Sequence, residues 1–268
     1  MQSHIMTEWT RRIERAAWLR QEQAAAEQLL SVYEQVLKIQ SAISDELEST
    51  GTKYRPEVPF REQIDFDVSL RHLPELIELS NKNGEGALYS TAERSSGQTR
   101  AHARGLMEAE LQREIAPSSE PTAERFFALT LLQPAAEYLA RQCAKVPHSG
   151  NRCPVCDGLP QLAIFRQEGD GGKRSLQCSL CLTEWEYLRV LCPWCGETDK
   201  EKLPRYSAEQ CNYVRVDACD TCKHYLKSVD LTVEGHAVPM VDEVALAALD
   251  LWAAEHGYLK ITQNLLEF

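Results

Sequence analysis

Hydrophobic spacing divides the chain into two textures. In residues 8–48, Leu29, Val32, Val36, Ile39, Ile43 and Leu47 recur at steps of three and four, the stripe of an amphipathic helix. Trp9 and Ile13 carry the stripe back toward the N-terminus, so the spacing predicts one long helix or two in series, stopped at Gly51. Beyond Pro56 and Pro59, Leu70, Leu73, Leu76, Ile77 and Leu79 predict a shorter helix, closed by the turn residues Asn81–Gly86. Residues 99–115 predict another, with Leu106, Leu111 and Ile115 on its apolar face. Pro117 and Pro121 separate it from a helix over 122–145, which Pro134 is expected to kink or split. The first 145 residues therefore read as all-helical, and none of them has catalytic spacing.

From Asn151 the period shortens. The β-rich runs Leu162–Arg166, Trp185–Val190 and Asn212–Asp217 predict strands, and Glu168–Lys173 (EGDGGK) predicts a hairpin tip whose glycines admit positive φ. After Asp230 the chain turns through Gly235 and Pro239 into a last helix. Its apolar stripe is Val241, Val244, Ala245, Ala248, Leu251 and Trp252, Gly257 is its end cap, and a tail runs from Tyr258 to Phe268.

The cysteines change this picture most. Eight of the ten form four CxxC pairs: Cys153/Cys156, Cys178/Cys181, Cys192/Cys195 and Cys219/Cys222. The gap within the first two pairs is 21 residues and within the second two is 23, so one zinc-ribbon or rubredoxin-like unit is written twice. Each CxxC turn sets two sulfurs on one side of a tight loop, and two such loops enclose a cation in four thiolates. Soft thiolates suit zinc or iron and discriminate against hard ions such as magnesium. Closure within each unit costs slightly less chain entropy than a crossed set in which Cys156 and Cys195 share an ion. Pro154 and Pro193 fix φ after the first cysteine of each unit, and Gly196 permits the turn after Cys195; Asp157 holds that place in the first unit. Purely structural sites, one-electron iron sites and labile or thiol-exchanging sites all remain open on this pattern. Cys143 and Cys211 lie outside the pairs and are expected to be small buried apolar residues, while His148 and His224 flank the ribbons as neighbours of the ligands. Trp185, Trp194 and Tyr225 are expected to form the ribbons' miniature core.

Charge and composition narrow the function. Residues 1–148 hold 17 basic against 22 acidic side chains, and residues 149–268 hold 12 against 18. An acidic surface repels a phosphate backbone, which argues against a zinc-ribbon nucleic-acid binder even with Lys173, Arg174, Lys200 and Lys202 near the ribbons. No apolar run is long enough to span a membrane, and the charged N-terminus lacks a signal-peptide core. The expected compartment is the cytoplasm, where CxxC pairs serve as metal ligands more often than as disulfides. Walker, GxGxxG, GxSxG and HExxH patterns are missing, so the chain reads as a non-enzyme.

The fold class expected is α+β. A helical domain spans 1–148, and a double rubredoxin-like domain spans 149–268, with units at about 149–190 and 191–230 and a C-terminal helix. The order CPVCDGLPQ, CSLCLTEW, RVLCPWCGE, RVDACDTCKHYLKSVD and a GYL…NLLEF tail resembles the FdhE family of formate dehydrogenase accessory proteins. The resemblance covers roughly residues 150–268, and all eight paired cysteines fall on the family's four CxxC positions. It implies a cytoplasmic assembly factor that binds the catalytic subunit of formate dehydrogenase. It also implies two metal ions, iron of the rubredoxin type with zinc as the alternative. A rubredoxin-like electron-transfer protein is the rival reading. The loops Asp157–Leu159 and Gly196–Thr198 are the expected partner contacts.

Overall fold

The computed structural model describes residues 2–83, 99–112, 123–144, 147–169 and 171–266. The expectations placed on Gly84–Gly86, Ile115, Pro117, Pro121, Asp170 and the last two residues lie outside these ranges.

The N-terminal segment forms two helices, α1 (Gln2–Glu22) and α2 (Glu27–Thr50), joined through Gln23 and a short 3-10 turn, and Gly51 ends α2 at φ +66°. The deeply buried face of α2 is Leu30, Tyr33, Val36, Leu37, Gln40, Ile43, Ser44 and Leu47. Leu29, Val32 and Ile39 only flank it. Two polar residues, Gln40 and Ser44, sit at its centre, which is why an apolar count places the stripe off-axis. A one-turn helix α3 (Phe66–Ser69), then α4 (Leu73–Asn83) and α5 (Thr99–Gln112), complete the wall around α6 (Ala123–Ala140).

Helix α6 is buried along Arg125–Leu139 on every side, as expected of a central helix. Pro134 does not split it. Proline lacks the N–H that would donate to the carbonyl four residues back. That carbonyl belongs to Thr130, and the Gln40 side-chain amide donates to it at 3.3 Å. Gln40 also donates to Gln133 Oε1 at 3.2 Å. The buried glutamine that displaces the α2 stripe is thus the donor that satisfies the α6 carbonyl Pro134 leaves open. A second buried polar contact joins α1 to α6: Arg12 makes a two-pronged pair with Glu137 at 2.7 and 2.9 Å and lies over the Trp9 ring.

The C-terminal part is built on one seven-stranded sheet with strands β1 (Pro160–Glu168), β2 (Gly171–Cys178), β3 (Glu184–Glu186), β4 (Arg205–Ser207), β5 (Val214–Ala218), β6 (His224–Asp230) and β7 (Leu259–Lys260). Its order is β3-β2-β1-β6-β5-β4, with β7 beside β6. Each ribbon supplies three antiparallel strands, and β1 of the first pairs in parallel with β6 of the second, Leu162 opposite Lys227 and Phe165 opposite Asp230. The units are fused head to tail. The run expected to reach Val190 ends as a strand at Glu186 because the backbone is captured next: Tyr187 N–H donates to Arg174 O, and the Arg174 side chain donates to the carbonyls of Leu188 and Leu191.

The expected last helix is two, α7 (Pro239–Ala245) and α8 (Ala248–Glu255). The break at Leu246–Ala247 turns Leu251 outward, 59% exposed, and leaves Ala253 and Asp250 as the buried side of α8. Gly257 caps it as expected, at φ +78°, with Gly257 N–H donating to Ala254 O and Tyr258 N–H to Ala253 O, the two bonds of a Schellman end.

A buried ionic cluster fastens this C-terminal segment to the sheet. Lys227 reaches Asp250 at 2.5 Å and Glu243 at 3.0 Å, and Lys260 reaches the same two carboxylates at 3.0 and 2.5 Å. Asn264 donates to the remaining oxygen of Glu243, and Tyr225 donates to Asp250 Oδ1, which it shares with Lys260. Two cations face two anions, so the cluster is neutral. Arg15 of α1 meets the buried Asp242 of α7 at 2.5 Å, and Asp242 accepts from Val238 N–H and Tyr213 O–H as well. One continuous core runs from Leu30, Tyr33 and Phe127 through Leu162 and Ile164 to Val241 and Leu265. Among the described residues, no helix is long and apolar enough to cross a membrane.

Candidate metal centres

The structure groups the sulfurs unit by unit. Cys153, Cys156, Cys178 and Cys181 form one set and Cys192, Cys195, Cys219 and Cys222 the other, with all four sulfurs of each set within 4.8 Å of one another. The crossed arrangement does not occur. In the first set Cys153 and Cys181 are 3.5 Å apart and Cys156 and Cys178 3.3 Å; in the second, Cys192–Cys222 and Cys195–Cys219 are 3.8 and 3.6 Å. A tetrahedron of sulfurs at ~2.3 Å from zinc or iron has edges of about 3.8 Å, so both sets fit such an ion.

Each knuckle repeats one local design. The first cysteine's N–H donates five residues ahead: Cys153 to Gly158, Cys178 to Thr183, Cys192 to Glu197 and Cys219 to His224, at 2.8–3.0 Å. The amides of Val155, Leu180 and Trp194 point at the sulfurs of Cys153, Cys178 and Cys192, each at 3.4 Å, and stabilise thiolate charge. To close the turn, the fourth residue after the first cysteine takes a left-handed conformation: Asp157 at φ 59°, Leu182 at 56°, Gly196 at 77° and Lys223 at 59°. Only one of the four is glycine, so sequence reasoning isolates Gly196 and has no signal for Leu182 or Lys223. Gly158 is needed for a different reason. A Cβ there would lie 3.0 Å from Cys178 Sγ and 3.2 Å from Cys156 Sγ.

The strain at Lys223 gives a direct expectation. Its side chain is 56% exposed and its ion pair with Asp220 is a surface contact worth little. A left-handed non-glycine costs about 1–2 kcal/mol, partly offset by glycine's greater unfolded-state freedom. Lys223→Gly is therefore expected to stabilise the metal-loaded protein by roughly 0.5–1 kcal/mol. A lowered urea midpoint would show that the knuckle holds Lys223 without strain.

The two sets differ sharply in burial. All four first-set cysteines are at most 3% exposed and belong to the main core. Side chains of the helical half hold both first-set knuckles: Arg61 donates to Cys156 O at 2.9 Å, and Gln133, itself bonded by Gln40, donates to Ser179 O at 2.8 Å. In the second set Cys192 and Cys219 are buried, Cys222 is half-buried and Cys195 is exposed. Its knuckles are braced from within the C-terminal half, by Thr221 donating to Glu197, Tyr258 to Asp220 and Tyr187 of the first ribbon to Cys192 O. Burial raises the Cys178 and Cys222 thiols, and pushes Cys192 up to about 11. Without a cation these groups hold their protons at neutral pH, so filling either set releases protons.

The remaining expected residues take supporting places. Cys143 and Cys211 are outside both sets and are half-buried, not fully so; Cys143 Sγ lies 3.6 Å from Leu139 O. His148 bonds Arg152 O, and His224 bonds Cys222 O at 2.8 Å and stacks on Trp194 with ring centres 4.9 Å apart. Neither joins a sulfur set. Trp185 is buried with its N–H on Gly150 O, and Tyr225 is buried with its hydroxyl on Asp250. Sequence reasoning missed Arg61, Gln40 and Gln133, polar residues with no motif, whose role depends on a sheet that arrives later in the chain.

Comparison with known proteins places this architecture. Residues 152–189 match the family described as FdhE, central domain, and residues 190–266 match FdhE, C-terminal domain. A protein named Protein FdhE homolog from Aquifex aeolicus is 29% identical over 226 residues, covering 83% of this chain and 78% of its own. One from Pseudomonas aeruginosa is 38% identical over 121 residues, 42% of this chain and 38% of its own. The crystal structure of the FdhE protein from Pseudomonas aeruginosa superposes with a TM-score of 0.70 at 26% identity, across 97% of this chain and 95% of that one.

Proposed function

Because the chain belongs to the FdhE family, we propose that it is a formate dehydrogenase accessory protein that binds the enzyme's catalytic subunit in the cytoplasm and is not itself an enzyme. Its eight paired cysteines would hold two ions: Cys153, Cys156, Cys178 and Cys181 one, and Cys192, Cys195, Cys219 and Cys222 the other. The all-sulfur donor sets suit iron, as the family resemblance implies, or zinc. The observation that carries the reading is the pair of four-sulfur sets in a chain whose fold follows an FdhE protein almost end to end.

The exposure of the knuckle loops favours a partner contact on the second ribbon. Of the two candidate loops, Asp157–Leu159 is turned inward beyond Asp157, with Leu159 only 1% exposed. Gly196 and Thr198 are exposed beside Cys195, in a turn closed by Gly196 N–H on Cys192 O and Cys192 N–H on Glu197 O. Rigid presentation lowers the ordering cost of binding. The test is co-precipitation of a formate dehydrogenase catalytic subunit by the full chain and by a Cys195→Ser/Cys222→Ser variant. Recovery is expected to fall at least about tenfold with the variant, the loss of one well-packed contact region. Equal recovery moves the contact to the helical half. The exposure of Cys195 also favours the electron-transfer reading, in which iron at the second set exchanges one electron with a partner; a reversible one-electron couple in voltammetry of the iron-loaded protein distinguishes it.

A further inference from the structure

Two sets of four cysteines written by one repeated motif invite the view that they do the same work, but the fold treats them differently. A ligand-exchange step at a four-sulfur site needs an incoming donor to reach the ion before the outgoing sulfurs have left. At the first set that access requires opening the core, because every cysteine is at most 3% exposed and both knuckles are tied to the helical half by Arg61 and Gln133. Opening of that kind approaches the global unfolding transition. At the second set Cys195 is exposed, Cys222 is half-buried, and the bracing bonds come from the C-terminal half, with Tyr187 of the first ribbon holding Cys192 O on the buried side. Cys192 and Cys219 stay behind as a buried edge, at 4% and 1% exposure, which keeps half of the cage in place while the other half is open.

We propose that the second four-cysteine set is an exchange site, in which Cys195 and Cys222 form an open edge that passes a soft divalent cation to and from low-molecular-weight thiols, while the first set retains its ion for as long as the chain is folded. The inference rests on the reading that both sets hold metal. The step moves no electrons. Cys195 and Cys222 each give up one sulfur–metal bond as two incoming thiolates form theirs, and the freed cysteines take up protons. Transfer completes when two further thiols replace Cys192 and Cys219 in the same way, each incoming S–H giving its proton to the cysteine sulfur it displaces. The helical half and the first ribbon remain folded throughout, because their core includes none of the four second-set sulfurs. The protein can therefore load and empty one site without being remade, which suits an accessory factor whose docking surface is the same knuckle.

The experiment uses the full chain reconstituted anaerobically with two equivalents of zinc and mixed with an excess of a chromophoric chelator. One equivalent is expected to leave in a fast phase and the other at least ~100-fold more slowly, the difference between local and global opening. Far-UV circular dichroism should be unchanged after the fast phase, and alkylation at that point should label Cys195 and Cys222 and spare Cys178. The Cys195→Ser variant should lose the fast equivalent and keep the slow one. Because a cysteine variant can fail to fold, the unmodified protein is also loaded with cadmium-113 and titrated with glutathione, with two resonances expected and only one lost. Release of both equivalents at one rate, or labelling of first-set cysteines after the fast phase, overturns the proposal while leaving two metal sites standing. Failure of the intact chain to bind zinc or cadmium overturns the metal reading itself.

Discussion

Cys178→Ser is expected to yield no folded protein, whereas Cys195→Ser should leave the helical half intact. Cys178 is fully buried at the point where β2 enters its knuckle, and the core that surrounds it is the core of α2 and α6. Structural four-ligand sites contribute about 10–16 kcal/mol to small zinc domains, comparable to the ~5–15 kcal/mol stability of an entire domain. Losing one sulfur there leaves an ill-fitting hydroxyl and three uncompensated thiols inside the main core. Loss of most of the far-UV helical signal, or of the soluble monodisperse protein, is the expected measurement for Cys178→Ser. A native-like urea transition for that variant would mean that the helical half folds without the first ribbon, and that the shared core contributes little.

The second large effect is expected at Glu243. It faces both Lys227 and Lys260, with its own side chain wholly buried. Removing one partner of a buried ion pair leaves uncompensated charge and costs about 3–5 kcal/mol. Glu243→Ala should therefore lower the unfolding free energy by about that amount, because Asp250 alone then faces two cations. Adding Lys260→Met restores one cation to one anion and is expected to recover roughly 1–2 kcal/mol. If the double variant is no more stable than Glu243→Ala, the loss is one of packing and not of charge. The pH dependence follows from the same cluster. Burial opposes ionisation of Asp250, but Lys260 and Lys227 outweigh it and hold the carboxyl below its ordinary value. Its stabilisation is present above the unfolded carboxylate range near pH ~3.9 and is lost as pH falls through the lower folded value. Burial likewise opposes the charge on Lys260, and the two carboxylates prevail and raise its value. That contribution is complete below pH ~10.4 and is lost only as pH rises through the higher folded value. The contributions of Asp250 and Lys260 are thus flat between roughly pH 5 and pH 9.

The sequence announces the two sulfur sets because cysteine spacing is a local property, and it announces Gly51 and Gly257 because each ends a helix within its own turn. What it conceals depends on partners far along the chain. Pro134 looks like a break until Gln40, 94 positions earlier in the numbering, supplies the donor that proline lacks. Strand β6, HYLKSVD, has no alternation to find, because Lys227 and Ser228 are as buried as their apolar neighbours. Lys227 is tolerated there only because Glu243 and Asp250 follow on the C-terminal helices. The fusion of the ribbons into one sheet is equally invisible, since a parallel pair between strands more than sixty residues apart leaves no mark on either strand. The knuckle residues Leu182 and Lys223 adopt a conformation that their identities argue against, imposed by the sulfur turn itself.

The contact between Arg15 and Asp242 joins positions 227 residues apart. At ribosomal speeds of about 5–20 residues per second, that interval corresponds to roughly 10–45 s of synthesis. Helix α1 leaves the ribosome that much earlier than the carboxylate that receives its arginine. The parallel seam between β1 and β6 is delayed in the same way, until the second ribbon has emerged. The nascent chain therefore carries α1 without its partner, and the β1 edge open, through those intervals. A stalled or truncated product ending before Pro239 should be a substrate for holdases and proteases, although it already contains all eight paired cysteines.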